Sequence, residues 1–257
     1  MNNKKIIFID YDGTLYNRKN NGIYEEVYQL LKKSKENDID VFLCTGRTLL
    51  YLKNDMRLLS LLKGVIGANG TFITLDNKYI YESVISKDNI RDIYEYSNKL
   101  NLSTVYFSKE VAYVDFKDTS TYDGFKYYNP MPMINITSSN DIEKEIELIC
   151  IYAPEELIDP MINIFKNLTI YKWGKSGADI VSKNTSKGNG IKIILDKYGY
   201  DFNNTYAIGD GLNDILAFKE ADVSVLTIEQ QEEVSPKMMD KTDYVIEDII
   251  EVTMIDF

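Results

Sequence analysis

The chain has 257 residues, 44% of them hydrophobic and 27% charged, and its 29 basic against 40 acidic side chains leave a formal net charge of −11. That balance argues against general affinity for nucleic acid or an anionic membrane surface, and the length allows one large domain or two smaller ones. Histidine is absent, which excludes Ser-His-Asp and Cys-His catalysts, phosphohistidine chemistry and His-ligated zinc, and leaves carboxylates, hydroxyls and lysine to carry any reaction.

The opening "MNNKKIIFID" is too polar for a secretory signal, and no apolar stretch is long enough to span a bilayer, so a cytoplasmic protein is expected. Ile6-Ile7-Phe8-Ile9 is apolar on both faces of a strand, as a central parallel strand is when helices cover both sides of its sheet. Tyr24, Val27, Tyr28 and Leu31 then fall at helical spacing within residues 22–36, followed by an apolar strand over 39–44, a helix from about Thr48 and a strand at Val65-Ile66. This alternation predicts an α/β fold with a doubly wound, mostly parallel sheet.

From residue 71 the rhythm changes. "TFITLDNKYIY" reads as a hairpin turning at Asp76-Asn77, and "STVYF", "VAYVDF" and "LICIY" are β-rich. The α/β frame resumes near Lys187 with a helix in "KGNGIKIILDKYG", a strand in "TYAIGD", a helix in "LNDILAFKE" and a strand in "DVSVL". The expected organisation is a core of residues 1–79 and 184–257 interrupted by an inserted α+β domain of residues 80–183. Cys44 and Cys150 lie in apolar, strand-like runs and are expected to pack as small hydrophobes without a disulfide.

In a parallel α/β sheet, function concentrates beyond the carboxyl ends of the strands. Asp10 and Asp12 close the first strand, Thr45-Gly46-Arg47 the second and Asp210 to Asp214 a later one, while Lys187 opens a helix. Carboxylates facing one another beside an incoming phosphate are tolerable when a divalent cation and a lysine neutralise them, and an oxygen-only donor set favours Mg²⁺. One aspartate can attack phosphorus while a second carboxyl protonates the leaving oxygen and later deprotonates water. Backbone N–H groups of a glycine turn and the Thr45 hydroxyl can cradle the phosphoryl oxygens. Each motif alone also has an ordinary reading as a polar turn, a helix cap or a solvated lysine, so the weight rests on their joint order. "GKS" at 174–176 suggests a nucleotide loop, but Thr169 stands where that loop needs a glycine.

"DYDGTL", "TGR", the lysine of "SKG" and "GDGLND", in this order, resemble the haloacid dehalogenase superfamily of phosphohydrolases. The insertion between the second and third motifs resembles the Cof-type branch with its type IIB α/β cap, as does "ANGTFI" at 68–73, and the likeness covers essentially the whole chain. The resemblance implies that Asp10 is the nucleophile and Asp12 the general acid/base, that Thr45 binds the phosphoryl group, and that Lys187 neutralises it and Asp10. It implies Mg²⁺ held by Asp10, the main-chain carbonyl of Asp12 and Asp210, with Asp214 as a ligand or a support, and phosphate or substrate contacts at Gly46, Arg47 and Asn213. Tyr11 replaces a usual leucine, and "VSVLTIEQ" at 223–230 replaces an "AMGNA"-like turn, which leaves the substrate contacts of that loop open.

The implied function is a Mg²⁺-dependent phosphatase of small phosphorylated metabolites, such as sugar phosphates, whose cap excludes water and selects the substrate. Tyr127, Tyr128, Trp173 and Lys175 are candidate substrate contacts in the inserted domain. A phosphomutase passing the phosphoryl group to a sugar hydroxyl, and a non-catalytic phosphometabolite sensor, remain the alternatives. Neither a nucleic-acid nor a membrane partner is expected, and the oligomeric state is not readable.

Overall fold

The structure, a computed structural model, describes residues 4–17, 21–230 and 234–254, with the side chains of Tyr128, Thr253 and Met254 outside that set. In chain order the elements are β1 (Ile6–Ile9), α1 (Glu25–Glu36), β2 (Asp40–Cys44), α2 (Leu49–Leu52), α3 (Met56–Leu61), β3 (Gly64–Gly67), β4 (Phe72–Leu75), β5 (Lys78–Glu82), α4 (Lys87–Lys99), β6 (Ser103–Phe107), β7 (Ala112–Asp115), α5 (Thr119–Tyr128) and β8 (Met133–Asn135). They continue with β9 (Leu148–Tyr152), α6 (Glu155–Ile164), β10 (Leu168–Lys172), β11 (Gly177–Ser182), α7 (Lys187–Tyr198), β12 (Thr205–Gly209), α8 (Ile215–Phe218), β13 (Val223–Thr227), α9 (Pro236–Met239) and β14 (Tyr244–Ile246). Two compact units result: Met1–Arg47, Asp55–Tyr81 and Ser186–Phe257 form the first, and Thr48–Asn54 and Glu82–Thr185 the second. Among the described residues no helix is long and apolar enough to cross a membrane.

The first unit is built on an eight-stranded sheet of order β14-β13-β12-β1-β2-β3-β4-β5. Pairing is parallel from β14 through β3 and antiparallel between β3 and β4. β1 sits inside the sheet, as its two-sided apolarity predicts: all four residues are buried. Because strand side chains alternate between faces, Ile6 and Phe8 join a core with Phe42, Ile66, Ile191, Ile194 and Leu226, while Ile7 and Ile9 face the other way. Phe8 and Phe42 meet with ring centroids 5.5 Å apart.

Local chemistry sets where the elements begin and end. α1 starts at Glu25, with Tyr24 as its cap, so the expected helix is shorter at its start; Glu25 and Glu26 lie in its first turn and Lys33 and Lys35 in its last, matching the helix dipole. The helix expected from Thr48 breaks into the four-residue α2 and then α3, whose cap Asp55 accepts a hydrogen bond from the Leu58 amide. Asp76 and Asn77 both take positive φ, 48° and 62°, which is the two-residue hairpin turn read from the sequence between β4 and β5.

The second unit carries a six-stranded sheet of order β10-β11-β9-β6-β7-β8, antiparallel except where β7 meets β8. Ile90, Ile93 and Tyr94 of α4 and Ile158 and Met161 of α6 pack with Tyr106, Ile149, Ile151 and Ile180 of the strands into one apolar core. α4 is capped by Ser86, which accepts from the Asn89 amide. Neither cysteine forms a disulfide: Cys44 is buried in the first unit's core, and Cys150 donates its thiol to Asp179, 3.1 Å away.

Candidate active site

Three neighbouring strands deliver the sequence motifs to one end of the first sheet. β12, β1 and β2 lie side by side and parallel, so the residues that follow them, Asp210, Asp10 and Thr45, leave the sheet together. The Asp10 amide donates to the Ile208 carbonyl at 2.9 Å and the Thr45 amide to the Ile66 carbonyl at 2.9 Å, extending the ladders to the edge of the site. Side chains far apart in sequence thereby converge by register alone.

Lys187 sits in the first turn of α7, where the helix dipole opposes a positive charge. It is nevertheless fully buried, and its ammonium donates to Asp10 Oδ1 at 2.6 Å and Asp214 Oδ1 at 2.7 Å. The other Asp214 oxygen accepts from the backbone amides of Asp210 and Gly211, at 3.1 and 2.9 Å. Asp214 therefore fastens the loop after β12 to the lysine, and both of its oxygens are engaged.

Oxygen atoms of Asp10, Asp210 and Asp214 all lie within 4.8 Å of one another. Three carboxylates against one ammonium leave this pocket short of positive charge. Burial pushes the Asp10 carboxyl well above the usual carboxylate range, with Asp214 and Asp210 adding to the push and Lys187 opposing it. Burial also works against the Lys187 ammonium, but Asp10 and Asp214 outweigh it and hold the lysine more firmly protonated than a free one. An oxygen-only, electron-rich donor set of this kind fits a hard divalent cation such as Mg²⁺.

Gly13 makes the close packing possible. Its φ is +92°, and a β-carbon there would overlap the Asp210 carboxylate. The turn after Asp12 thus needs glycine both for its backbone and for the approach of Asp210, the residue that follows β12.

Asp12 is placed differently from Asp10. Its carboxylate is gripped by Arg47, with Nε to Oδ2 at 2.7 Å and Nη2 to Oδ1 at 2.8 Å, and both side chains remain partly exposed. Arg47 is itself held by its backbone: its amide donates to Thr45 Oγ1 at 3.0 Å and its carbonyl accepts from the Ala68 amide at 2.9 Å. Thr45 is fully buried, and its carbonyl accepts from the Asn69 amide at 3.0 Å. Because Thr45 Oγ1 already accepts a hydrogen bond, its own hydrogen is left to donate. Gly46 lies in the turn between these two anchors.

Several contributors escape sequence reasoning. Asn69, buried and at φ 56°, accepts from the Asn213 side-chain amide at 3.2 Å, so the "ANG" turn is bound to the "GDGLND" loop. The segment that replaces the usual turn also has work: Glu229 accepts from the Asn17 side-chain amide at 2.6 Å, and Gln230 donates to the Tyr16 carbonyl at 3.2 Å. These bonds steady the loop that follows Asp12. The "ANG" signal was visible as a motif, but its partner was not, since a side-chain pairing across 144 residues leaves no local pattern. Tyr11 is buried and stacks on Tyr16 with centroids 5.3 Å apart.

In the second unit, Trp173 donates its indole N–H to Asp179 at 3.0 Å and meets Tyr152 edge-on at 5.3 Å. Tyr127 and Lys175 are exposed, and the Tyr128 side chain lies outside the described residues.

A family model described as haloacid dehalogenase-like hydrolase matches residues 7–248. The chain belongs to that family. This hydrolase is 27% identical over 249 residues to the 5-amino-6-(5-phospho-D-ribitylamino)uracil phosphatase YcsE of Bacillus subtilis, across 95% of this chain and 92% of that one. It is 27% identical over 243 residues to a phosphoglycolate phosphatase of Sulfurisphaera tokodaii, across 93% and 88%. Its fold superposes on the solved HAD subclass IIB sugar phosphatase BT4131 with a TM-score of 0.84 at 22% identity, covering 98% of this chain and 96% of that one. The haloacid dehalogenase-like hydrolase is accordingly a phosphoric monoester hydrolase acting on small phosphorylated substrates, and the fold and family implied by the four motifs are those found.

Proposed function

We propose that this hydrolase cleaves sugar phosphates or related phosphorylated metabolites in a Mg²⁺-dependent reaction that passes through an aspartyl-phosphate on Asp10. The observation that carries the reading is the buried triad of Asp10, Lys187 and Asp214, with Asp210 beside it. Lys187 holds one Asp10 oxygen, which leaves the other to attack phosphorus. As the new P–O bond forms, the ester P–O bond breaks and Asp12 supplies the proton to the departing oxygen. Asp12 then takes a proton from water, the water oxygen bonds to phosphorus, and the bond to Asp10 breaks to release phosphate. The Thr45 hydroxyl hydrogen is a donor for the phosphoryl oxygens, and Asn213, held by Asn69, lies on the loop after β12.

Asp10 and Asp210, with the Asp12 carbonyl, would hold Mg²⁺, and Asp214 would position the Asp210 loop. The bound cation would supply neutralisation of the phosphoryl oxygens and of the clustered carboxylates. The two relatives named for phosphatase activity on small phosphorylated compounds support the substrate class.

The test is phosphate release from a panel of sugar phosphates, nucleotides and p-nitrophenyl phosphate, with Mg²⁺ and with chelator, for wild type and Asp10→Asn. Release that requires both Mg²⁺ and Asp10 is expected. Turnover surviving in purified Asp10→Asn would remove Asp10 as nucleophile, and isomerised sugar phosphate in place of free phosphate would replace the phosphatase reading with a phosphomutase.

A further inference from the structure

The two carboxylates at the end of β1 are given separate cations: Lys187 holds Asp10 and Arg47 holds Asp12. The two grips differ in kind. An ammonium is a point charge that fixes a distance, whereas a guanidinium meeting both oxygens of a carboxylate fixes its plane and its rotamer as well. Arg47 can do this because neither end of its backbone is loose: the 45–47 turn is latched through Thr45 and Ala68 to the "ANG" turn after β3. Asp12, in turn, stands at a turn closed by Gly13 and Tyr16, whose amides donate to the Tyr16 and Tyr11 carbonyls at 3.2 and 2.7 Å. The sequence motif suggests Arg47 as a phosphate or substrate contact, yet two of its donors are engaged by Asp12.

The geometry points to Arg47 as a positioning residue that sets the Asp12 carboxyl group beside Asp10, so that the proton-transfer step depends on the two-pronged grip. The inference rests on reading Asp12 as the general acid/base. In that role the carboxyl group must lie within hydrogen-bond reach first of the leaving oxygen and then of the attacking water, while Asp10 forms and loses its bond to phosphorus. A short aspartate has few rotamers, and an error of about 1 Å in the placement of a reacting group is enough to cost on the order of a hundredfold in rate. Arg47 never exchanges its own proton in this scheme; it acts only through where it holds Asp12.

Such a role has a signature that plain phosphate binding lacks. In the step that forms the aspartyl-phosphate, esters whose leaving group departs without protonation should hardly notice the loss and alkyl esters should suffer heavily, whereas the later attack of water slows for both. Wild type, Arg47→Gln, Arg47→Lys and Asp12→Asn would be compared on p-nitrophenyl phosphate and on the alkyl phosphate that wild type turns over fastest. Both Arg47 variants are expected to lose on the order of a hundredfold in kcat/KM on the alkyl ester and less than about tenfold in kcat/KM on the aryl ester, while kcat falls on both because the attack of water is common to them. Combined with Asp12→Asn, Arg47→Gln should add no further discrimination between the esters. Turnover of the aryl ester by the same preparation is the control for folding, and Arg47→Lys carries the test if Arg47→Gln does not fold. Equal losses in kcat/KM on both esters with a raised KM would make Arg47 a phosphate contact, and full activity in Arg47→Lys would mean that charge alone suffices; either overturns the positioning role. If wild type releases phosphate from neither ester, the phosphatase reading itself fails and this inference falls with it.

Discussion

Lys187 shows how one residue can be costly by local rules and necessary by tertiary ones. A lysine at the start of a helix opposes the dipole, and burying it would be prohibitive without Asp10 and Asp214 at 2.6 and 2.7 Å. Replacing it by methionine leaves those carboxylates uncompensated, and a loss of about 3–5 kcal/mol in unfolding free energy is expected. Urea denaturation at neutral pH checks this, with Mg²⁺ added in a second series; Mg²⁺ should restore part of the loss, because a divalent cation can replace the missing charge. An unchanged midpoint would show that the carboxylates do not depend on the lysine. Gly13 is the complementary case, a residue needed for what it lacks. With φ at +92° and the Asp210 carboxylate against it, Gly13→Ala should destabilise by about 1–3 kcal/mol and, under the proposed Mg²⁺ reaction, raise the Mg²⁺ concentration needed for half-maximal activity by displacing Asp210. An unchanged Mg²⁺ requirement in Gly13→Ala would show that Asp210 does not need that contact.

At the scale of elements, the entry of β9 into the second sheet carries an unusual group. Glu147 precedes β9, is fully buried, and has no hydrogen-bond partner for either carboxylate oxygen among the described residues. Burial pushes its carboxyl up to about 7, with Glu82 adding to the push and Lys109 and Lys53 opposing it. Glu82 is itself paired with Lys109 at 2.5 Å. In the unfolded chain the same group ionises near 4.5, so the folded state binds the extra proton between those two values. Stability must then fall as pH rises from about 4.5 to about 7 and level off above, with a total contribution of at most about 3 kcal/mol. Glu147→Gln cannot titrate, so its stability advantage over wild type should grow across that window in urea denaturation curves taken at each pH. Parallel curves would place the Glu147 titration at its ordinary value.

Among the described residues, one apolar core lies around β1 and β2 on one face of the first sheet and another between α4, α6 and the second sheet. Ile149→Ala removes side-chain volume from the second core alone, and a cost of about 2–5 kcal/mol is expected. Hydrogen exchange should show faster opening of amides in residues 82–185 and little change at β1 and β12; uniform acceleration would mean that the two cores open as one. Much of this architecture was legible in the sequence because it is written locally. Ile6–Ile9 and the strand ending at Cys44 are apolar on both faces, the Asp76-Asn77 hairpin carries its own turn chemistry, and each of the four motifs sits next to the apolar run that positions it. Helix starts were less legible: α1 begins three residues late and the helix after Thr48 breaks in two, because caps such as Tyr24 and Asp55 act through geometry that composition does not express. By itself the sequence determined the α/β class and the family, since these follow from residue type, period and order, and it named the carboxylates on which the proposed reaction rests. Only the tertiary structure decided that Lys187 also holds Asp214, that Arg47 grips Asp12, that Asn69 reaches Asn213, and that the buried Glu147 carboxylate has no hydrogen-bond partner among the described residues. Those facts depend on the register of strands and the packing of turns separated by tens to hundreds of residues, and no local pattern records them.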